Sequence, residues 1–465
     1  MPRSTKALTL VLFLVLGGLF AGNSGAEPSY ITVDLGSLGG GYSFPAAMNE
    51  SGQVVGSSST ADLATHPFSW THAGGLIDLG SLGGSLAYAT DVSEDGQVIG
   101  AGLTAGDAGY HGFAWTESGG LVDLSLGGSD SVAAALNDVG QVVGYSATDG
   151  NLETHAFLWT QAGGLTDLGT LGGTASYGLA VNDSGQVAGW GTLADGSEHA
   201  FFWSQEDGMI DLGTLGGTNS YALAMNGSGQ IVGYSLTASG EAHPFSWTQA
   251  DGMIDLGTLG GDRAYGLSVT NAGQVVGYSY TAGDAEIHTF SWTEAGGMID
   301  LGSFGGFATY HTGVNDTGQI VGYSHTRGDA AYHGFSWTSA GGMVELALGD
   351  TTIFSTAGDV SNTGQVVGWS GIADDEGFRN RGFSWTSAGG MIELDTLGGN
   401  NSYAYFVNDE GQIGGASTTT NEAESHGVFW LPGPATIGDC MRGGWRTYRV
   451  FRNQGDCIRY VERHE

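Results

Sequence analysis

Eight histidines occupy one position of a recurring pattern: His66, His111, His155, His199, His243, His288, His333 and His426, with Arg381 standing in a ninth copy. Imidazole is a common metal ligand and acid–base group, so metal or proton chemistry is the first reading to test. The spacing argues against it. The copies lie 44 to 48 residues apart, one histidine each, whereas zinc needs three or four donors within ~2.0–2.3 Å of the ion. Only a narrow axis could bring them together. The expected role is a hydrogen bond within or between repeated units, which Arg381 could also make. A second series stands before a leucine: Asp34, Asp78, Asp123, Asp167, Asp211, Asp255, Asp300, Glu345 and Glu393. A tight catalytic geometry would not tolerate the change from Asp to Glu, so these are also expected to be structural.

Other catalytic signatures are missing. The chain has no Gly-x-Ser-x-Gly, His-Glu-x-x-His or Walker loop. Its Leu-Gly-Gly elements precede strand-like runs, and its single lysine is Lys6. No cofactor is therefore expected. Calcium, held by oxygen ligands in acidic loops such as Ala373-Asp-Asp-Glu-Gly377, is the one alternative.

Aromatic residues offer a binding chemistry. Phe44, Tyr88, Tyr177, Tyr221, Tyr265, Tyr310 and Tyr403 stand nine residues before a repeated Gln, with Val132 and Thr356 interrupting the series. Tyr145, Trp190, Tyr234, Tyr278, Tyr323 and Trp369 form another. Rings arranged around a channel could stack on sugars or hold a peptide; the favoured alternative is that they wedge neighbouring units together. Arg263, His311 and Arg327 break local repeat identity, and Arg263 and His311 are candidate anion contacts. Between residues 27 and 435 they are rare positive or titratable groups among 44 acidic and four basic side chains.

These residues are carried by nine copies of one unit. Gly-Gln recurs at Gln53, Gln97, Gln141, Gln186, Gln230, Gln274, Gln319, Gln365 and Gln412. Tryptophan recurs at Trp70, Trp115, Trp159, Trp203, Trp247, Trp292, Trp337, Trp385 and Trp430. His155, His199, Trp159, Trp203, Asp167, Asp211, Gln186 and Gln230 are thus read as structural repeat positions. Each copy has four short apolar runs separated by turns such as Asn182-Asp-Ser-Gly185, where Asn and Asp bond local backbone and Gly accepts positive φ. Asn at four before the Gln, replaced by Ser or Thr in three copies, is expected to close that turn. His-x-Phe-x-Trp alternates as a strand with one buried face would.

Four strands per ~45 residues is one β-propeller blade, and blades must stack to bury their faces. The expected fold is all-β, a propeller of about nine four-stranded blades. Ile31-Thr-Val-Asp-Leu35 reads as a fourth strand without predecessors, and the ninth copy lacks its own fourth strand. The first strand is expected to fill that vacancy and close the ring. An open stack or two unequal propellers are the alternatives.

The His-Ala-Phe tripeptides at His155 and His199, with Leu-Gly-x-Leu-Gly-Gly and Asn-Asp-x-Gly-Gln-Val-Val-Gly elements, resemble the extracellular HAF-repeat family over residues 29 to 431. The resemblance implies export from a bacterium and no particular activity. The tail, Cys440-Met-Arg-Gly-Gly-Trp445 followed by Asn453-Gln-Gly-Asp-Cys457, resembles a short C-terminal element of exported bacterial proteins.

Export has its own sequence support. Arg3 and Lys6, an apolar run from Ala7 to Phe20, and Ser24 and Ala26 at −3 and −1 form a secretory signal pattern over residues 1–26. The run is shorter than the ~20 residues that span a bilayer, and no later stretch would span one. Residues 27–435 are the expected propeller and 436–465 a basic element with six Arg. An oxidising compartment favours a Cys440–Cys457 disulfide; a thiol pair for metal is the alternative.

With a formal charge of −36, the chain repels nucleic acid and anionic lipid. The expected function is a non-enzymatic scaffold, secreted or in the cell envelope, for an extracellular ligand such as a glycan or peptide. The alternatives are a propeller enzyme acting on a polysaccharide or small metabolite, and a passive envelope protein.

Overall fold

The structure is a computed structural model that describes residues 29–374, 377–422 and 424–464. The signal-like segment and part of the acidic loop at 373–377 lie outside the described residues. Contacts divide the chain at Pro432/Gly433, slightly before the boundary expected at 435/436.

Tyr30–Pro432 is built from nine four-stranded antiparallel units. In blade 5 these are Gly216–Met225, Ile231–Thr237, Ala242–Thr248 and Gly252–Asp255. The same order recurs from Gly39–Met48 in blade 1 to Gly398–Val407 in blade 9. The fourth strand of blade 9 is the chain's first, Tyr30–Gly36. It pairs antiparallel with Ser425–Pro432, Thr32 opposite Trp430.

Single parallel bridges join the third strand of one blade to the first strand of the next, as at Glu198–Asn219 and Ala242–Arg263. Blade 9 meets blade 1 in the same way, through Tyr42 and Ser425.

Two features of the repeat explain the local geometry. The buried glycine of the second strand is there for space. A Cβ at Gly233 would lie 1.9 Å from the Tyr221 carbonyl oxygen, so no side chain fits. The turn asparagine does more than close its turn. Asn226 Oδ1 accepts from Gln230 N at 3.0 Å, while Nδ2 donates to Thr270 O of the next blade at 3.0 Å. Asn137 reaches Asn182 O at 2.8 Å, and Asn408 of blade 9 reaches Glu50 O of blade 1 at 3.1 Å.

The core is distributed over the blade interfaces. Phe202 and Leu212 of blade 4 pack with Ile231, Phe245 and Trp247 of blade 5, and Phe429 of blade 9 packs with Val54, Phe68 and Trp70 of blade 1. The third strand differs from the one-sided pattern expected of it: Ala156, Phe157, Leu158 and Trp159 are all buried. A blade has a neighbour on each face, so alternation in the third strand separates two packed faces and not a core from solvent.

The second unit, described from Gly433, is helical, which the sequence reading did not anticipate. Helix α1 (Ile437–Cys440) is capped by a reciprocal Thr436–Asp439 box. Helix α2 spans Gln454–His464. The expected Cys440–Cys457 disulfide is present, buried with Val461 beside Trp445, Phe451 and Ile458.

Candidate functional site

The repeated histidines sit on third strands and reach the carboxylate of the fourth strand in the same blade. His155 Nδ1 lies 2.9 Å from Asp167, His199 Nδ1 2.8 Å from Asp211 and His288 Nδ1 2.8 Å from Asp300. His426 makes the same bond to Asp34, which the N-terminal strand supplies, at 2.9 Å. The exceptions match one another: His333 meets Glu345, and the Arg381 guanidinium meets Glu393 at 2.7 Å. The carboxylates also accept backbone N–H groups two residues on, as Asp211 does from Gly213 at 2.7 Å.

These are strand-to-strand ties within separate blades. No group of three or more His, Cys, Asp or Glu among the described residues is placed to hold a metal ion. Trp159 is buried and Trp203 part-buried in blade interfaces. Gln186 and Gln230 accept from their turn asparagines at 2.8 and 3.1 Å.

The aromatic series come together as one feature. The two sets are cross-strand partners, Tyr177 opposite Trp190, Tyr221 opposite Tyr234, Tyr265 opposite Tyr278 and Tyr310 opposite Tyr323. Within a blade the rings lie 4.2 Å apart at Tyr177–Trp190 and 4.8 Å at Tyr221–Tyr234.

Between blades they meet edge-on: Tyr145–Tyr177 at 4.9 Å, Trp190–Tyr221 at 5.3 Å, Tyr234–Tyr265 at 4.9 Å and Tyr278–Tyr310 at 5.9 Å. Tyr332 and Phe354 extend the run through Tyr323. The result is a belt of touching rings from blade 3 to blade 8. Tyr88 stands apart from it, against Tyr110, and Tyr403 packs with Trp369 and Tyr405.

The rings are half-buried, so the belt both joins blades and presents part of its surface. Burial raises the phenols of Tyr221, Tyr265, Tyr278 and Tyr310, and pushes Tyr234 up to about 12. They are neutral hydrogen-bond donors, not nucleophiles.

Clefts open beside the belt at the blade ends bearing the loops between second and third strands. One of about 470 Å³ lies between blades 5 and 6, lined by Tyr234, Glu241, Asp262, Arg263 and Tyr265. Another of about 440 Å³ involves Tyr110, Asp130, Tyr145, Asn151 and Tyr177. Arg263 is thus an exposed cation beside two belt rings.

His311 does not share that role. It lies on the inner strand of blade 7, where burial lowers its pKa to about 4. It is neutral near pH 7 and brings no charge to an anion. The belt also has polar partners that the repeat comparison missed: Glu198 accepts from the Tyr221 hydroxyl and from Asn219 Nδ2. Their positions vary between copies, and only the bridge between blades 4 and 5 brings them together.

No family model matches the chain, and no curated protein matches it. Solved structures do. Dipeptidyl peptidase 4 from Porphyromonas gingivalis matches at 9% identity with a TM-score of 0.52, over 84% of this chain and 65% of that one. The β-propeller domain of the Trilobed protease from Pyrococcus furiosus matches at 12% identity and a TM-score of 0.40, over 65% and 97%. TolB from Acinetobacter baumannii matches at 12% identity and a TM-score of 0.33, over 50% and 58%.

This chain therefore spans less than two thirds of the length of the peptidase and of TolB. At these identities the peptidase likeness carries the fold alone. Tyr30–Pro432 is an all-β propeller. Among its described residues no helix is long and apolar enough to cross a membrane.

Proposed function

We propose that this chain is an exported bacterial propeller of the HAF-repeat kind that binds an extended ligand, a glycan or a peptide, along its aromatic belt. The observation that carries this reading is the continuity of the belt. Half-buried rings touch from blade to blade, with clefts opening beside Tyr177 and Tyr265. A row of rings and neutral phenols suits a polymer whose units repeat along the surface. Arg263 would select a carboxylate or similar group at one point of the row, and the surrounding acids would repel polyanions such as nucleic acid. Binding without turnover is the simplest activity that a row of rings and neutral phenols can perform.

Glycan and peptide arrays probed with the signal-free chain test the proposal. Tyr221→Ala and Tyr265→Ala are expected each to weaken binding roughly fivefold, about 1 kcal/mol per ring. A lowered melting temperature with unchanged affinity would reduce the belt to a wedge between blades. Hydrolysis of a bound ligand would favour the enzyme reading, and failure to bind anything would leave a passive envelope protein.

A further inference from the structure

The aromatic belt departs from its own pattern in blade 3, where a ring is left without its usual partner. In blades 4 to 6 the second-strand ring has two ring neighbours. One is the first-strand tyrosine of the same blade, at 4.2 Å for Tyr177–Trp190, 4.8 Å for Tyr221–Tyr234 and 5.1 Å for Tyr265–Tyr278. The other belongs to the next blade and meets it edge-on.

Blade 3 carries Val132 where those blades carry tyrosine, directly opposite Tyr145. Among the described residues Tyr145 touches one ring, Tyr177 of blade 4, edge-on at 4.9 Å. The other interruption of the series is Thr356 opposite Trp369 in blade 8. There the chain supplies a substitute, because Trp369 meets Tyr405 at 5.8 Å as well as Tyr403 at 6.0 Å. The gap in blade 3 has no such substitute.

A cleft of about 440 Å³ opens at this gap, lined by Val132 and Tyr145 together with Tyr110, Asp130, Asn151 and Tyr177. The volume falls in the ~300–1,000 Å³ range of small-ligand sites. Asp130 stands two residues before Val132 on the same strand. Its carboxylate is exposed and is the one charged group of the lining. Oδ2 accepts from Ser129 Oγ at 2.6 Å, and Oδ1 has no partner among the described residues.

Shape and charge together narrow the occupant. The absent group is flat, since a ring fills the same place in blades 4 to 6. A carboxylate without a basic neighbour in the cleft attracts a cation and repels an anion. An ammonium is a compact point charge, whereas a guanidinium is planar, stacks on an aromatic face and offers a fork of N–H donors to a carboxylate. A cation over a tyrosine ring also gains an attraction that a neutral sugar lacks. We propose that the blade 3 gap binds the guanidinium of an arginine side chain, stacked on Tyr145 and hydrogen-bonded to Asp130. This site rests on the belt reading and makes the extended ligand a peptide that carries arginine.

Binding of Nα-acetyl-arginine amide to the signal-free chain is measured by saturation-transfer NMR and calorimetry. The citrulline amide keeps the flat shape without the charge, and the lysine amide keeps the charge without the plane. Asp130→Asn removes the carboxylate charge at an exposed position. Val132→Tyr puts the repeat's usual ring into the gap, and melting curves are taken for both variants.

The arginine amide is expected to bind at millimolar concentration. Citrulline and lysine amides, and either variant with the arginine amide, should bind roughly tenfold more weakly. Val132→Tyr should melt no lower than the parent, because tyrosine holds this position at Tyr177, Tyr221, Tyr265 and Tyr310. The proposal is overturned if the arginine amide fails to bind, if citrulline or lysine binds equally well, or if binding survives both substitutions. Arrays read the belt separately. Array binding that Tyr221→Ala weakens, with no arginine binding by the parent, would remove the gap site and keep the belt. Arginine binding that Asp130→Asn abolishes, with empty arrays, would keep the gap site and remove the belt.

Discussion

At the residue scale, the repeat is most informative where one copy departs from the others. The inner-strand position held by His311 is alanine in blades 2, 3, 5, 8 and 9, at Ala89, Ala133, Ala222, Ala357 and Ala404. Burial lowers the His311 pKa to about 4, while an unfolded histidine titrates near ~6.5. The neutral ring is therefore tolerated above pH 6.5, and stability is lost as pH falls from there toward 4, because the unfolded chain takes up the proton first.

The expected loss across this window is up to about 3 kcal/mol. His311→Ala, which restores the common residue, should flatten this part of the melting temperature against pH profile. An unchanged profile would mean that His311 gains a proton in the folded chain without cost. The sequence marked His311 as unusual. It did not reveal the burial, which depends on blade 8 covering blade 7.

At the element scale, strands and turns were legible because they are local. Asn, Gly and alternating apolar residues report backbone conformation over a few positions. The pairing of the two aromatic series was not legible, since it depends on the register that sets Tyr221 opposite Tyr234 and on the packing of Trp190 against Tyr221.

Helix α2 was missed for the same reason. Its eleven residues are too few to hold a helix alone although their apolar positions share one face, and Cys457 and Val461 are buried with Cys440 beside Phe451. The blade interfaces carry the stability. Phe245 is fully buried between blades 4 and 5, and Phe245→Ala should cost about 3–5 kcal/mol in urea denaturation. A cost below 1 kcal/mol would show that neighbouring blades collapse into the space.

At the scale of the whole molecule, the notable element is the strand Tyr30–Gly36. It supplies Asp34 to His426, Leu35 to the core shared by blades 9 and 1, and the outer edge of blade 9. Without it, His426 loses Asp34 and the Ser425–Pro432 strand loses its outer antiparallel partner. A chain beginning after residue 36 should melt several degrees lower and associate more readily through the exposed edge, as scanning calorimetry and sedimentation would register. Equal melting of the two chains would mean that the last blade holds without its fourth strand.

The repeat count, the four-strand unit, the turn chemistry and the unpaired first strand follow from the amino-acid order, because each rests on local conformation and on period. The belt and the burial of His311 exist only after folding. Each arises where side chains from different blades meet, and such meetings depend on register and interface packing between residues far apart in the chain.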